Sequence, residues 1–328
     1  MNRNISPKKV RWGIIGTGGI AHKFAGDILR VPNAELVAVA SRNQAKAESF
    51  AKQYHAERSY AGYHYLAGDP LVDAVYIATP HAFHKEDTLL CLKRRKAVLC
   101  EKPLALSILQ VNEMIETAKA NDTLLMEAMW TMFLPHYQMV LKLLKEGAIG
   151  NITGLEADFG FSPHYDPESR LFKKELGGGS LLDIGIYPVF LALSVLGIPD
   201  EIEASATFFD TGADSSCSMV FSYSNHVKAR LYSTFLKQTP TVATISGEQG
   251  KIGIHPKFHA PSSFSIEKGG TIQRLDFGVN TNGYSFEIEH FSNLLLNGKT
   301  ESPLMPLRTS KRLIQLLDAV REKIGLDY

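Results

Sequence analysis

The sequence predicts an α/β protein in two parts. The first is a doubly wound parallel sheet; the second is an α+β domain on a large, mostly antiparallel open sheet. Three observations carry that expectation. Residues 10 to about 125 alternate short apolar runs with segments of helical period, the pattern of βαβ units. After about Phe133 the texture changes to short runs rich in Thr, Val, Ile and Phe between turn residues, which reads as antiparallel sheet. The length, 328 residues, exceeds what one core usually fills. The division is placed at 1–125 and 126–328, with a cleft expected between the parts.

Taken in order, Val10 to Ile15 is the first strand and Ile20 to Leu29 has helical spacing. Glu35 to Ala40 is the second strand, followed by a helix from Asn43 to Tyr54. Ala74 to Ala78 is a further strand that ends at Thr79-Pro80, with a helix from His84 to Arg94 behind it. The run Ala97-Val98-Leu99-Cys100 reads as a buried parallel strand, then comes a helix from Ser107 to Asn121, and Leu124 to Glu127 closes the series. In the second part a helix (His136 to Glu146) leads to a strand from Ile152 to Phe161. Gly177-Gly178-Gly179-Ser180 releases the chain into a helix through Leu196. Short strands fill Ile202 to Asp276, and helices from Phe286 to Leu296 and Ser310 to Ile324 finish the chain.

Composition narrows the function classes. Hydrophobic content of 45% with 21% charged residues is that of an ordinary globular protein, and a net charge of +1 offers no attraction for nucleic acid or an anionic membrane. Cys91, Cys100 and Cys217 are odd in number and lack metal-ligand spacing, so free thiols in a reducing compartment and no metal site are expected. Met1 to Lys9 is polar and enters a strand without an apolar signal region, and no stretch approaches 18 uninterrupted apolar residues. A cytoplasmic protein with no membrane or nucleic-acid partner is the expectation.

The turn after the first strand reads Gly16-Thr17-Gly18-Gly19-Ile20-Ala21. Gly16 permits the tight turn, Gly18 lets backbone approach a pyrophosphate, and Ala21 is small enough for helix–strand packing. The helix N-terminus near Gly19 offers unpaired amides and a favourable dipole. This is the dinucleotide-binding arrangement of a Rossmann sheet. NAD sites usually carry an acid at the end of the second strand; here the chain reads Ala40-Ser41-Arg42-Asn43. Ser41 can donate to a 2′-phosphate and Arg42 can pair with it, which predicts NADP with NAD as the second choice. The alternative for Arg42 is a solvated helix-start residue.

Glu101-Lys102-Pro103 ends a later strand of the same sheet. Pro103 removes a donor and disfavours helix at Lys102, so the lysine stays at the carboxyl edge where open α/β sheets bind ligands. There it can sit near nicotinamide and a substrate oxygen. Asp183 and Tyr187 are four residues apart and share one helical face. Asp183 lies between Leu182 and Ile184, so its carboxylate demands a partner. A tyrosine near a lysine is a plausible proton acceptor because the cation stabilises the phenolate. Trp130, Phe133, Phe159 and Phe258 could supply ring surfaces for a sugar or cyclic diol, or simply pack the core. His81 follows the strand end Thr79-Pro80 toward cofactor or substrate, while His84 reads as a helix-start residue.

These pieces, in order, resemble the glucose-fructose oxidoreductase / inositol dehydrogenase (Gfo/Idh/MocA) family over essentially the whole chain. They are Gly16 to Ala21, Ala78-Thr79-Pro80-His81, Glu101-Lys102-Pro103 and Asp183-Ile184-Gly185-Ile186-Tyr187. Glu127 to Pro135, Gly177 to Tyr187 and Glu301 to Leu307 look most like its dimeric dihydrodiol dehydrogenase / NADP-dependent D-xylose dehydrogenase branch. The resemblance implies that Lys102, Asp183 and Tyr187 form the catalytic set, with a phenol where many members carry histidine. It implies cofactor contacts from Gly16, Thr17, Gly18, Gly19, Ile20, Ser41, Arg42, Thr79, Pro80, His81, Glu101 and Lys102. Trp130, Phe159 and Phe258 become the substrate-binding candidates, and a homodimer through the C-terminal sheet follows. One departure is Met132, where the branch commonly has arginine. The implied activity is an NAD(P)-dependent dehydrogenase or reductase acting on a sugar, polyol or cyclic diol. The rivals are a cofactor-sensing regulator of the same fold and a redox-assisted glycoside hydrolase.

Overall fold

The computed structural model describes residues 9–224 and 226–328; the opening polar run before Lys9 lies outside them. The chain forms two compact units, and neither is one continuous stretch. The first comprises residues 1–105, 109–133 and 280–307, the second 106–108, 134–279 and 308–328.

The first unit is built on six parallel strands in the order β3-β2-β1-β4-β5-β6. They are β1 (Val10–Ile15), β2 (Ala34–Ser41), β3 (Arg58–Ala61), β4 (Ala74–Ile77), β5 (Ala97–Glu101) and β6 (Leu125–Ala128). Between them run α1 (Gly19–Ile28), α2 (Gln44–Tyr54), α3 (Tyr63–Gly68), α4 (His84–Leu92) and α5 (Ile108–Ala120). β4, β5 and β6 are buried at every residue, which is why their sequences are apolar with no alternation apart from the buried Glu101 and Glu127. β3 and α3 escape the sequence reading because β3 is a four-residue, largely half-exposed edge strand and α3 is one short turn and a half.

The second unit contains α6 (Pro135–Lys145), β7 (Ile152–Gly160), α7 (Ile186–Leu196) and the strands β8 (Glu201–Phe208), β9 (Asp214–Ser222) and β10 (Lys228–Thr234). β11 (Ala243–Gly247), β12 (Gly250–Ile254), β13 (Phe264–Lys268) and β14 (Thr271–Leu275) complete it. The sheet order is β14-β13-β12-β11-β7-β10-β9-β8, antiparallel throughout except for the β7–β10 pair. Residues 174–196 are apolar enough by composition to cross a membrane, yet 83% of their apolar window is buried inside the protein. That run is hydrophobic because α7 is a core helix.

α8 (Tyr284–Leu296) returns to the first unit, and α9 (Leu307–Ile324) closes the second. The linear boundary at 125 does not capture this return. Its physical cause is local to Asp27, buried near the end of α1. Asp27 Oδ2 accepts from the backbone N–H of Tyr284 (2.8 Å) and Ser285 (3.2 Å), and Oδ1 accepts from Asn282 N–H (3.0 Å). A carboxylate on the first amides of a helix satisfies orphan donors and suits the dipole. Trp12 then packs on Phe291 (ring centroids 5.0 Å apart) and donates from Nε1 to Ser292 Oγ at 3.2 Å. Glu287, on the same helix, is fully buried. Burial, with the charges of Glu101 and Asp27 nearby, pushes its carboxyl well above the usual range, so it is held as the neutral acid.

Candidate active site

The carboxyl edge of the parallel sheet collects most of the predicted cofactor residues. Gly16 leaves β1 at φ +96°, and a Cβ there would meet the Ala78 carbonyl oxygen at 2.7 Å. Gly18 and Gly19 differ: a Cβ on either would meet nothing of the protein within 4 Å. No packing demand explains those two glycines, whereas a pyrophosphate drawn close to the backbone does. α1 opens with no side-chain cap and no acid in its first turn, so its amides face outward as anion donors. A dinucleotide fits this cradle. Gly16→Ala should cost about 1–3 kcal/mol of stability because it combines positive φ with a backbone clash. Gly18→Ala should leave Tm within a degree or so while weakening NADPH binding about tenfold. Thermal melts paired with cofactor titration check both, and a loss of stability in Gly18→Ala would undo the distinction.

At the end of β2, Ser41 is 7% exposed and Arg42 lies in solvent. Ser41 Oγ accepts from Asn43 N–H (3.3 Å) and from the Thr17 hydroxyl (3.4 Å). Its own O–H is thus left as a donor. Thr79, at the end of β4, donates its hydroxyl to Asp87 Oδ2 at 2.8 Å, an internal bond that orders this strand end. Burial pushes the Asp87 carboxyl up to about 6.

β5 stops at Glu101, one residue before Lys102, as the Lys-Pro junction requires. Lys102 is 8% exposed, and the Lys102–Pro103 peptide is cis. The turn is tied on several sides. The Tyr76 hydroxyl donates to the Glu101 carboxylate, Lys102 N–H reaches Glu101 Oε2 (3.3 Å), and Leu104 N–H donates to Glu127 Oε1 (2.9 Å). Burial and the neighbouring Glu101 charge raise the Tyr76 phenol well above its usual value, so it stays a donor. His84 does start α4, but its side chain does more than that. Its Nδ1 lies 2.8 Å from the Pro103 carbonyl and its Nε2 2.9 Å from the Thr79 carbonyl, clasping two strand ends together. Only the fold, which sets β4 beside β5, makes that role visible. His81 is buried beside it, with ring centroids 5.6 Å apart. Trp130 stacks face to face on Tyr284 at 4.6 Å and is 8% exposed.

In the second unit the glycine run leads into one π turn, Leu181–Gly185, before α7 begins. The sequence predicts an uninterrupted α-helix here; a π turn is wider, and such turns often occur at functional positions. The partner Asp183 demanded is Arg170, whose Nη1 lies 3.0 Å from Asp183 Oδ1. Arg170 sits in an irregular segment whose spacing gives no hint of the pair. Tyr187 is 7% exposed and is flanked by His259 (ring centroids 4.7 Å) and Phe159 (5.9 Å), which stack on each other at 4.1 Å. Phe258 is fully buried, and its carbonyl accepts from His136 Nε2 at 3.0 Å. Its neighbour His259 lies beside Tyr187. Strand alternation at that corner fails because residues 255–263 form a loop rather than strand.

Residues 10–129 match the model of an oxidoreductase family with an NAD-binding Rossmann fold, and residues 137–253 match the GFO/IDH/MocA C-terminal domain. Among curated proteins, the chain is 35% identical to trans-1,2-dihydrobenzene-1,2-diol dehydrogenase of Xenopus tropicalis, covering 97% of this chain and 99% of that one. The human protein of that name is 32% identical, with 97% and 98% covered. Among solved structures, a 3-ketoreductase from Actinomadura kijaniata in complex with NADP and TDP-benzene superposes with a TM-score of 0.87 at 28% identity. It covers 97% of this chain and 98% of its own. That ketoreductase has also been crystallised as a tyrosine-to-phenylalanine and as a lysine-to-alanine mutant. Both halves, their order and near full-length similarity agree: the chain belongs to the Gfo/Idh/MocA oxidoreductase family.

Proposed function

We propose that this NAD(P)-dependent oxidoreductase uses NADP and acts on a hydroxyl or carbonyl of a sugar, polyol or cyclic diol. The observation that carries this reading is Lys102: a lysine buried at the carboxyl end of β5, in the unit with the dinucleotide cradle, and braced through Glu101, Tyr76 and His84. Buried lysines are rare in the absence of a task for the charge. Nicotinamide, when bound, supplies or accepts the hydride. Tyr187 takes the hydroxyl proton in oxidation and returns it in reduction, and Lys102 steadies the developing alkoxide. Asp183, held by Arg170, orients the groups around them, and Phe159 with His259 presents ring surface for the substrate. The names of the relatives, a diol dehydrogenase and a ketoreductase crystallised with NADP, support the substrate class and the cofactor.

The working form is proposed to be a cytoplasmic homodimer. Support comes from three free, buried cysteines, as a reducing compartment favours, and from an eight-stranded open sheet with exposed Phe208 and Ile272 on its outer strands. The test is a screen over pentoses, hexoses, inositols, cyclic diols and dicarbonyls, reading NADPH absorbance on protein whose mass in solution is measured. Turnover with stoichiometric cofactor consumption, by a particle of twice the chain mass, is the expected result. Hydrolysis of a glycoside without net cofactor change would replace the reading, and a monomer would remove the dimer.

A further inference from the structure

The roles proposed above leave the buried acid Asp214 unused. Asp214, at the start of β9, is fully buried. Its Oδ2 accepts from the Ser180 hydroxyl at 2.7 Å and from the Leu181 backbone N–H at 2.8 Å, at the entry to the π turn. Ser180 Oγ also lies 3.0 Å from Ser233 Oγ on β10. Asp214 Oδ1 has no hydrogen-bond partner among the described residues. Two glycines are fitted around the cluster. A Cβ at Gly179, where φ is +117°, would fall 2.1 Å from Asp214 Oδ1, and one at Gly185 would fall 2.8 Å from Ser233 Oγ.

Capping a helix start needs only an acceptor, which a neutral Ser or Asn supplies. Burying an ionisable acid with one bare oxygen costs more than that task requires. Burial pushes Asp214 up to about 6, against the bonds from Ser180 and Leu181 that hold it down. The groups that face it are Ser180 and Leu181 N–H from the π turn, Ser233 from β10, Cys217 on its own strand, and Tyr328 near the chain end. Tyr328 donates to the Gly178 carbonyl at 2.6 Å, with the Arg321 guanidinium 4.7 Å from its ring. Burial raises both the Cys217 thiol and the Tyr328 phenol, so neither changes charge near neutrality. Asp214 does.

We propose that Asp214 is a positioning residue: its side chain, accepting on Oδ2 from Ser180 and Leu181, holds the π turn that carries Asp183 and leads into Tyr187, and ionising it slackens that turn. The consequence for turnover rests on the roles proposed for Asp183 and Tyr187; the clamp itself does not. The experiment is hydrogen exchange of the amides of residues 181–187 between pH 5 and 8, corrected for intrinsic rates and read alongside kcat. It compares the full chain with its D214N and S180A variants. In the unchanged protein, protection of this segment should be highest at the acid end and fall severalfold as pH rises through about 6, because the buried carboxyl, raised by burial, favours the ordered turn when protonated and the open, solvated turn when ionised; kcat is read at the same pH values. In D214N the pH dependence of protection should vanish. In S180A the midpoint should move to higher pH, because a bond that stabilises the carboxylate is gone. Exchange in D214N that tracks the unchanged protein overturns the clamp; if D214N does not fold, an unmoved midpoint in S180A does so. Asp87, also pushed up to about 6, belongs to the other unit; its titration can move kcat without moving exchange at 181–187. If exchange behaves as stated while Tyr187→Phe keeps full turnover, the clamp stands and the proposed catalytic set falls.

Discussion

Tyr187→Phe and Lys102→Met are each expected to lower turnover by about a hundred- to ten-thousandfold, with NADPH affinity changed by no more than a few-fold. The physical basis differs for the two. Phenylalanine keeps the ring that packs against His259 and Phe159 and removes only the hydroxyl, so the loss isolates proton transfer. Methionine keeps much of the length and apolar stem of Lys102 but removes its charge, so the loss isolates stabilisation of the alkoxide. Near-normal kcat in both variants, on a confirmed substrate, rejects the assignment. A milder outcome for Lys102→Met than for Lys102→Ala shows how much of the effect is packing of the buried stem.

The sequence yields the parallel sheet because its inner strands are largely buried and read as mainly apolar runs separated by segments of helical period. The dinucleotide cradle is legible for a related reason: Gly16 is forced by backbone contact, and Gly18 and Gly19 stand where the protein itself needs no glycine. Lys102 is legible because Pro103 fixes where its strand ends. What stays hidden depends on which distant residues meet. His84 clasping Thr79 and Pro103, Arg170 pairing with Asp183, and Asp27 capping α8 each join segments that periodicity treats separately. Phe258 and His259 show the limit from the other side. Of these adjacent loop residues the first is fully buried and the second lies against Tyr187, and no local pattern says which is which.

Arg42→Ala should weaken NADP selectively, raising KM for NADP about ten- to a hundredfold while leaving KM for NAD within about twofold. Arg42 is exposed at the end of β2, where it has room to meet a 2′-phosphate. The surroundings suit an anion. Asn43 caps α2 by accepting from Lys46 N–H at 3.0 Å, and no acid occupies the first turn of that helix. The Ser41 hydroxyl, already accepting two bonds, presents its hydrogen as a further donor. A charge-assisted bond from guanidinium to phosphate is among the stronger single contacts a surface offers, and it weakens with salt. The NADP preference should therefore shrink as ionic strength rises, and it should shrink less in Arg42→Ala, which has already lost the charge. Ser41→Ala should give a smaller loss, since it removes one neutral donor rather than a cation. Equal kcat/KM for NADP and NAD in the unchanged protein, insensitive to both substitutions, would mean that the missing acid at the end of β2 selects nothing. Arg42 would then be a solvated helix-start residue.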